Sequence, residues 1–132
     1  MAAKAGDEFD DDVVLQSEVR ILRRIPPGNT APKVNGSLRP SSNCFGNHPD
    51  GSGTSVDIWD DAHDPKDTLK GHAGFGLAWL TVGEVRELGL GVCPDPIGGN
   101  SRHALIQGKK TGSRKNRLAR LSRWIELPEP AA

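Results

Sequence analysis

Only two cysteines, Cys44 and Cys93, occur in the 132 residues. That is too few for a disulfide scaffold, and neither belongs to a closely spaced metal-type pair, although one bridge between them is conceivable. No apolar run approaches the length of a membrane span. The first residues are acidic and lack the apolar stretch of a secretory signal. Together these absences predict a cytoplasmic protein with reduced cysteines and no membrane partner. Internal repeats are also lacking. Hydrophobic residues make up 35% of the chain and the formal net charge is zero. That amount of apolar material suffices for one modest core.

The zero total conceals three charged blocks. Residues 1–17 carry five acids and one lysine, net −4. Residues 57–67 carry five aspartates against Lys66, again net −4. Residues 102–124 carry eight basic residues and no acid, net +8. The first block has little to bury and predicts a flexible acidic tail over 1–17. The domain proper is expected over 18–128, followed by a short tail at 129–132.

Within the domain, residues 76–110 hold the clearest local signals. Leu77, Ala78, Trp79 and Leu80 form a short buried-type run. Thr81 and Glu84 make a capping box, in which each side chain satisfies the other's backbone N–H. Val82, Val85 and Leu88 then share one helical face, and Gly89 stands where a left-handed cap is wanted. A strand over 90–93 and another over His103–Gln107 follow, separated by prolines and a Gly98-Gly99-Asn100 turn. Upstream, residues 19–25 read as a strand ended by Pro26 and Pro27, with Val19, Ile21, Arg23 and Ile25 on one face. Thr54–Trp59 is a strand by composition. Residues 26–52 are almost all turn formers, with Phe45 as their anchor to the core. A 114–125 helix is expected after a Ser113 cap, its apolar stripe formed by Leu118, Leu121 and Ile125. The expected fold is therefore α+β, a small mixed sheet of three to five strands with two helices, loop-rich, and with a disordered acidic tail. Expected core residues are Ile21, Ile25, Val56, Ile58, Leu77, Trp79, Val85, Leu88, Val92, Leu105, Ile106, Leu118 and Leu121.

The basic block is the largest electrostatic feature. Lysine and arginine attract phosphate through charge neutralisation and counterion release, and first-turn N–H groups near Ser113 add to that pull. The bland alternative is a solvated helix face, or arginines paired internally with the 57–67 acids. Candidate binding residues are Arg39, Ser41 and Ser42 in the polar loop, with His103, Lys109, Lys110, Arg114, Arg117 and Arg120.

Two constellations point toward enzymes. Pro94 and Asp95, followed by Gln107, Gly108 and Lys109, resemble the signature of metal-dependent nucleases. In that family a Pro-Asp precedes an acid, one residue and a lysine; here Gln107 replaces the acid. The resemblance implies a divalent ion on carboxylates such as Asp95, Glu84 or Glu87, with Lys109 positioning water. The layout of Arg23-Arg24, Arg39-Pro40-Ser41-Ser42 and Thr54-Ser55-Val56 resembles ADP-ribosyltransferase-like folds. That resemblance implies Arg23 and Ser55 holding a nicotinamide cofactor and Gln107 in the catalytic position. The catalytic candidates are thus His103, Asp95 and Lys109, or Arg23, Ser55 and Gln107. Cys44, His48, Cys93 and His103 could supply four zinc ligands, but their irregular spacing assigns no metal. No cofactor is assigned either. The residues favour a binding or accessory module that contacts a polyanion, such as nucleic acid, or an acidic protein surface. The alternative is a small enzyme acting on a nucleotide or nucleic acid.

Overall fold

A computed structural model describes residues 11, 12 and 14–130. Its central strands are β1 (Arg20–Ile25) and β4 (Thr54–Trp59). Beyond β4 lie β7 (His103–Gln107) and then the edge strand β6 (Gly91–Pro94). Beyond β1 lie β5 (Gly76–Thr81) and the opposite edge, β8 (Arg123–Glu126). Every neighbouring pair in this six-stranded sheet is antiparallel. A separate antiparallel pair joins β2 (Thr30–Pro32) to β3 (Leu38–Pro40). The helices are α1 (Val82–Glu87) and α2 (Gly112–Leu121).

The expected mixed sheet of three to five strands is therefore corrected to six antiparallel strands plus a two-stranded ribbon. A parallel pairing of β5 with β6 would need a crossover connection. Helix α1, at six residues, is too short for one, since parallel neighbours need a connection of about a dozen residues or more. It instead carries the chain from β5 across to the far edge. The helix expected over 114–125 also ends early. Ser122 is extended, and its hydroxyl bonds back to the Leu118 carbonyl at 2.8 Å. Residues 123–126 then form β8 rather than the last helical turn. At the start of α2 the cap is Thr111, not Ser113: its Oγ1 accepts from the Arg114 N–H at 3.1 Å.

Local chemistry explains the elements that agree with expectation. The Thr81 N–H donates to Glu84 Oε1 at 2.9 Å, and the Glu84 N–H donates to Thr81 Oγ1 at 3.2 Å, completing the capping box. Gly89 closes α1 at φ 79°, a backbone conformation that costs glycine nothing. Alternation along β1 and β4 sends Ile21, Arg23, Ile25, Thr54 and Val56 to one face and Leu22, Arg24, Ser55 and Asp57 to the other.

The inner face carries the main core. Ile21, Ile25, Val56, Ala78, Leu80, Ala104 and Ile106 pack beneath Phe45, Val82, Val85, Leu118 and Ala119, all buried. Phe45, the expected loop anchor, belongs to a 3-10 turn over Ser42–Phe45 and is 0% exposed. Four expected core residues, Ile58, Trp79, Leu88 and Leu121, are only half-buried. Trp79 lies on the outer face, edge-on to Trp59 with 5.7 Å between ring centroids, while Arg123 covers its ring.

Most of the expected acidic tail lies outside the described residues, as do 131–132 of the C-terminal tail. Of the tail's described part, Asp11 accepts from Arg86 Nε at 3.0 Å and from the Val92 N–H at 2.9 Å. Arg86 also donates to the Leu15 and Asp12 carbonyls, both at 2.7 Å. Among the described residues no helix is long and apolar enough to cross a membrane.

Replacing a buried aromatic ring by a methyl group removes its burial and leaves a cavity. Phe45→Ala should therefore cost about 3–5 kcal/mol in urea unfolding. Trp79→Ala should cost clearly less despite the larger ring, because half-exposed surface regains little on truncation.

Candidate functional site

On the outer face, side chains from three strands converge without a helix above them. Asp57 on β4 lies opposite Leu22 on β1 and opposite His103 on β7. Aspartate is rare at the middle of a strand, and this one is only 5% exposed. Neutral donors hold it: Thr68 Oγ1 donates to Oδ2 and Asn100 Nδ2 to Oδ1, each at 2.8 Å. Thr68 arrives from a 3-10 turn, Pro65–Leu69, that Asp64 caps. Asn100 arrives from the β6–β7 turn. Among the described residues no lysine or arginine forms an ion pair with Asp57.

His103 is similarly enclosed, at 9% exposure. Its Nδ1 lies 2.8 Å from the Asp95 carbonyl oxygen and 3.2 Å from Asp95 Oδ2. A carbonyl can only accept, so Nδ1 is the donor in this contact and Nε2 is the ring nitrogen not used by Asp95. Leu22, Arg24, Ser55, Asp57, Thr68 and His103 surround a void of about 10 Å³, room for roughly one water.

Next to the void, and sharing Arg24, Asp57 and Thr68 with it, a polar cleft of about 400 Å³ opens between the Pro65–Leu69 turn and the β6–β7 turn. Arg24 Nη1 donates to the Thr68 carbonyl at 3.3 Å. Lys70 pairs with Asp67 at 3.6 Å. His63 Nδ1 lies 2.7 Å from Asp60 Oδ1, and that hydrogen bond holds the Asp60 carboxyl below its usual range. Arg102 also borders the cleft, and its Nη1 is buried with no hydrogen-bond partner among the described residues.

The two catalytic sets fare differently. His103 and Asp95 are brought together, but Lys109 lies past the other end of β7, where its carbonyl accepts from Arg114 Nη1 at 2.9 Å. The nuclease-like pairing of Asp95 with Gln107 is separated in the same way, by the length of β7. In the second set, Arg23 points to the inner face while the Ser55 side chain points to the outer one. Their contact is from Arg23 Nη1 to the Ser55 carbonyl, at 2.8 Å. Gln107 turns toward the Ser52 carbonyl instead. Cys44 and Cys93 are not bridged and belong to opposite faces, and His48 pairs with Asp50 at 3.2 Å in an exposed loop. Among the described residues no group of three or more His, Cys, Asp or Glu could hold a metal.

The basic block divides into cations already engaged and cations that are not. Lys110 Nζ donates to Asn47 Oδ1 at 2.7 Å, to the Ile106 carbonyl at 2.8 Å and to the Gly108 carbonyl at 3.1 Å. Arg123 makes two bonds to Glu84, at 2.7 and 2.8 Å. Arg117 and Arg120 are exposed, and neither forms an ion pair among the described residues. The aspartates of 57–67 are served elsewhere: Arg20 takes Asp61 at 3.1 Å, while Lys66 reaches Glu126 at 3.2 Å. Arg120 joins Lys33 and Arg39 around a groove of about 460 Å³ between α2 and the β2–β3 ribbon. Pro32, Val34 and Asn35 complete its lining, which includes no acid. Ser41 caps the 3-10 turn through its hydroxyl, and Ser42 is the first residue of that turn.

Sequence reasoning found Arg39 and Arg120 but missed Lys33, Thr68, Asn100 and Arg102. The one available signal was Asp57, a carboxylate between Val56 and Ile58 in a strand that both flanks mark as buried.

Burial, with the Arg114 charge beside it, pushes the Lys110 ammonium from 10.5 down to about 8. Between those values the unfolded chain binds more protons at this lysine than the folded one, so stability should rise as pH climbs through the window. Urea midpoints measured from pH 8 to 10.5 should show that slope, and Lys110→Met should flatten it. No protein-family model, curated protein or solved structure matches the chain.

Proposed function

We propose that this protein is a cytoplasmic binding or accessory module that grips a polyanion in the groove between α2 and the β2–β3 ribbon. One observation carries the reading: Lys33, Arg39 and Arg120 line a single groove with no acid among its walls. Among the described residues none of the three forms an ion pair that binding would break, so each phosphate neutralised gains the full release of its counterion. Arg117, exposed one turn earlier on α2, extends the charged track. The polar loop contributes Arg39, and the Ser41-capped turn behind it fixes where that arginine stands. Val34, fully exposed at 107%, offers an apolar rim against which a base or sugar can rest.

A second reading, a small enzyme acting on a nucleotide, is favoured by the His103–Asp95 contact. That contact leaves Nε2 as a potential base beside Ser55 and Asp57 at the one-water void. It lies on the other face of the sheet, away from the groove.

Titration of labelled single- and double-stranded oligonucleotides at low and moderate salt tests the first reading. Affinity should fall steeply with salt, and each charge removed by Arg39→Glu or Arg120→Glu should lower the logarithmic salt slope by about 0.7–0.9. Stability should change by no more than about 1 kcal/mol for the exposed Arg120. No binding at low salt would remove nucleic acid and leave an acidic protein surface as the partner.

A further inference from the structure

We propose that the outer-face cleft is a separate binding site for a small molecule bearing an oxyanion, either phosphate or carboxylate, held between Arg24 and Arg102. The argument begins with Arg102. Its Nη1 is buried with no acceptor among the described residues. A buried donor on a charged group is among the costliest to leave unmade, and native proteins rarely do so. Arg102 lines the adjoining cleft, and its covered Nη1 gains an acceptor there once the guanidinium turns toward it.

Arg24 faces the same cleft. Among the described residues its five donors make one bond, a long one of 3.3 Å to the Thr68 carbonyl. Two guanidiniums with spare donors on one volume suit the paired oxygens of a phosphate or carboxylate, which arginine binds in a fork.

The acids around the cleft do not fill that role. Asp57 is held by Thr68 and Asn100, and Asp67 lies beside Lys70. Asp60 is bonded to His63 and feels the Arg102 charge without forming an ion pair with it. At about 400 Å³ the cleft is the size of ordinary small-molecule sites. Its two walls are short turns, so it accepts a compact ligand rather than a chain. This site does not rest on the polyanion reading, since it shares no residue with the groove on α2.

Calorimetric titration with pyrophosphate and with malonate, run separately, tests the site, with amide NMR shifts to locate it. The expected result is saturable millimolar or tighter binding of at least one probe, with shifts at Thr68, Asn100 and Arg102. Binding of pyrophosphate alone assigns a phosphate ligand, and binding of malonate alone a carboxylate. Arg24→Met should weaken binding about tenfold or more, the loss of charge-assisted bonds. Arg102→Lys, which keeps the charge and the fold but loses the fork, should also weaken it. Arg120→Glu should leave it unchanged. Absence of saturable binding by both probes overturns the proposal. So does binding that survives both Arg24→Met and Arg102→Lys, or that disappears with Arg120→Glu.

Discussion

The structure depends on one half-buried arginine. Arg23 sits on the inner face of β1 between Ile21 and Ile25, among aliphatic neighbours. Burial lowers its pKa, as expected for a charge taken out of water. The cost is offset by two bonds of 2.8 Å, from Nε to the Cys44 carbonyl and from Nη1 to the Ser55 carbonyl. Those bonds tie the Ser42–Phe45 turn to β4. Once the turn is fixed, Phe45 is seated in the core, α2 packs on the turn, and Arg39 is carried to the rim of the groove. A lysine could not make both bonds from one planar group.

The residue next in sequence has the opposite fate. Arg24 emerges on the outer face, because successive side chains of a strand alternate. One dipeptide therefore serves both sides of the sheet: Arg23 builds the core and Arg24 borders the cleft. β4 repeats the division. Val56 enters the aliphatic core, while Ser55 and Asp57 line the polar void. The outer face stays polar at its centre because the elements above it are short turns supplying Thr68 and Asn100, not helices supplying leucine.

Local signals were legible in the sequence where they had local causes. The Thr81–Glu84 cap, the Gly89 stop, and the strands Thr54–Trp59 and His103–Gln107 all arise from neighbours within a few residues. The failures have tertiary causes. Leu118, Leu121 and Ile125 keep helical spacing, yet Ser122 ends the helix and β5 recruits the following residues as β8. The β2–β3 ribbon was hidden because turn-rich composition describes its ends as well as its strands. For the cleft, Thr68 and Asn100 lie 11 and 43 residues from Asp57. Nothing in either residue's own surroundings announces that it will hold a buried carboxylate. His103 and Asp95 were legible as a pair because a short β-turn connection folds one back on the other; Lys109 was not excluded until β7 placed it at the far end.

Charge neutrality misleads for a physical reason. A count of acids and bases assumes that they find each other, whereas here many do not. Asp57 is satisfied by a hydroxyl and an amide, Asp60 by a histidine, and Lys110 by one side-chain amide and two carbonyls. Each neutral partner used in this way leaves an opposite charge elsewhere without its counterpart. On α2 the uncompensated charges are exposed and beside the β2–β3 ribbon they are half-buried at the surface, so water and salt screen them at little cost. At Arg102 one guanidinium nitrogen is buried and finds no acceptor among the described residues, and such a donor is costly to leave unmade. The same imbalance thus yields a soft, salt-sensitive surface on one side of the sheet and a small, directional site on the other.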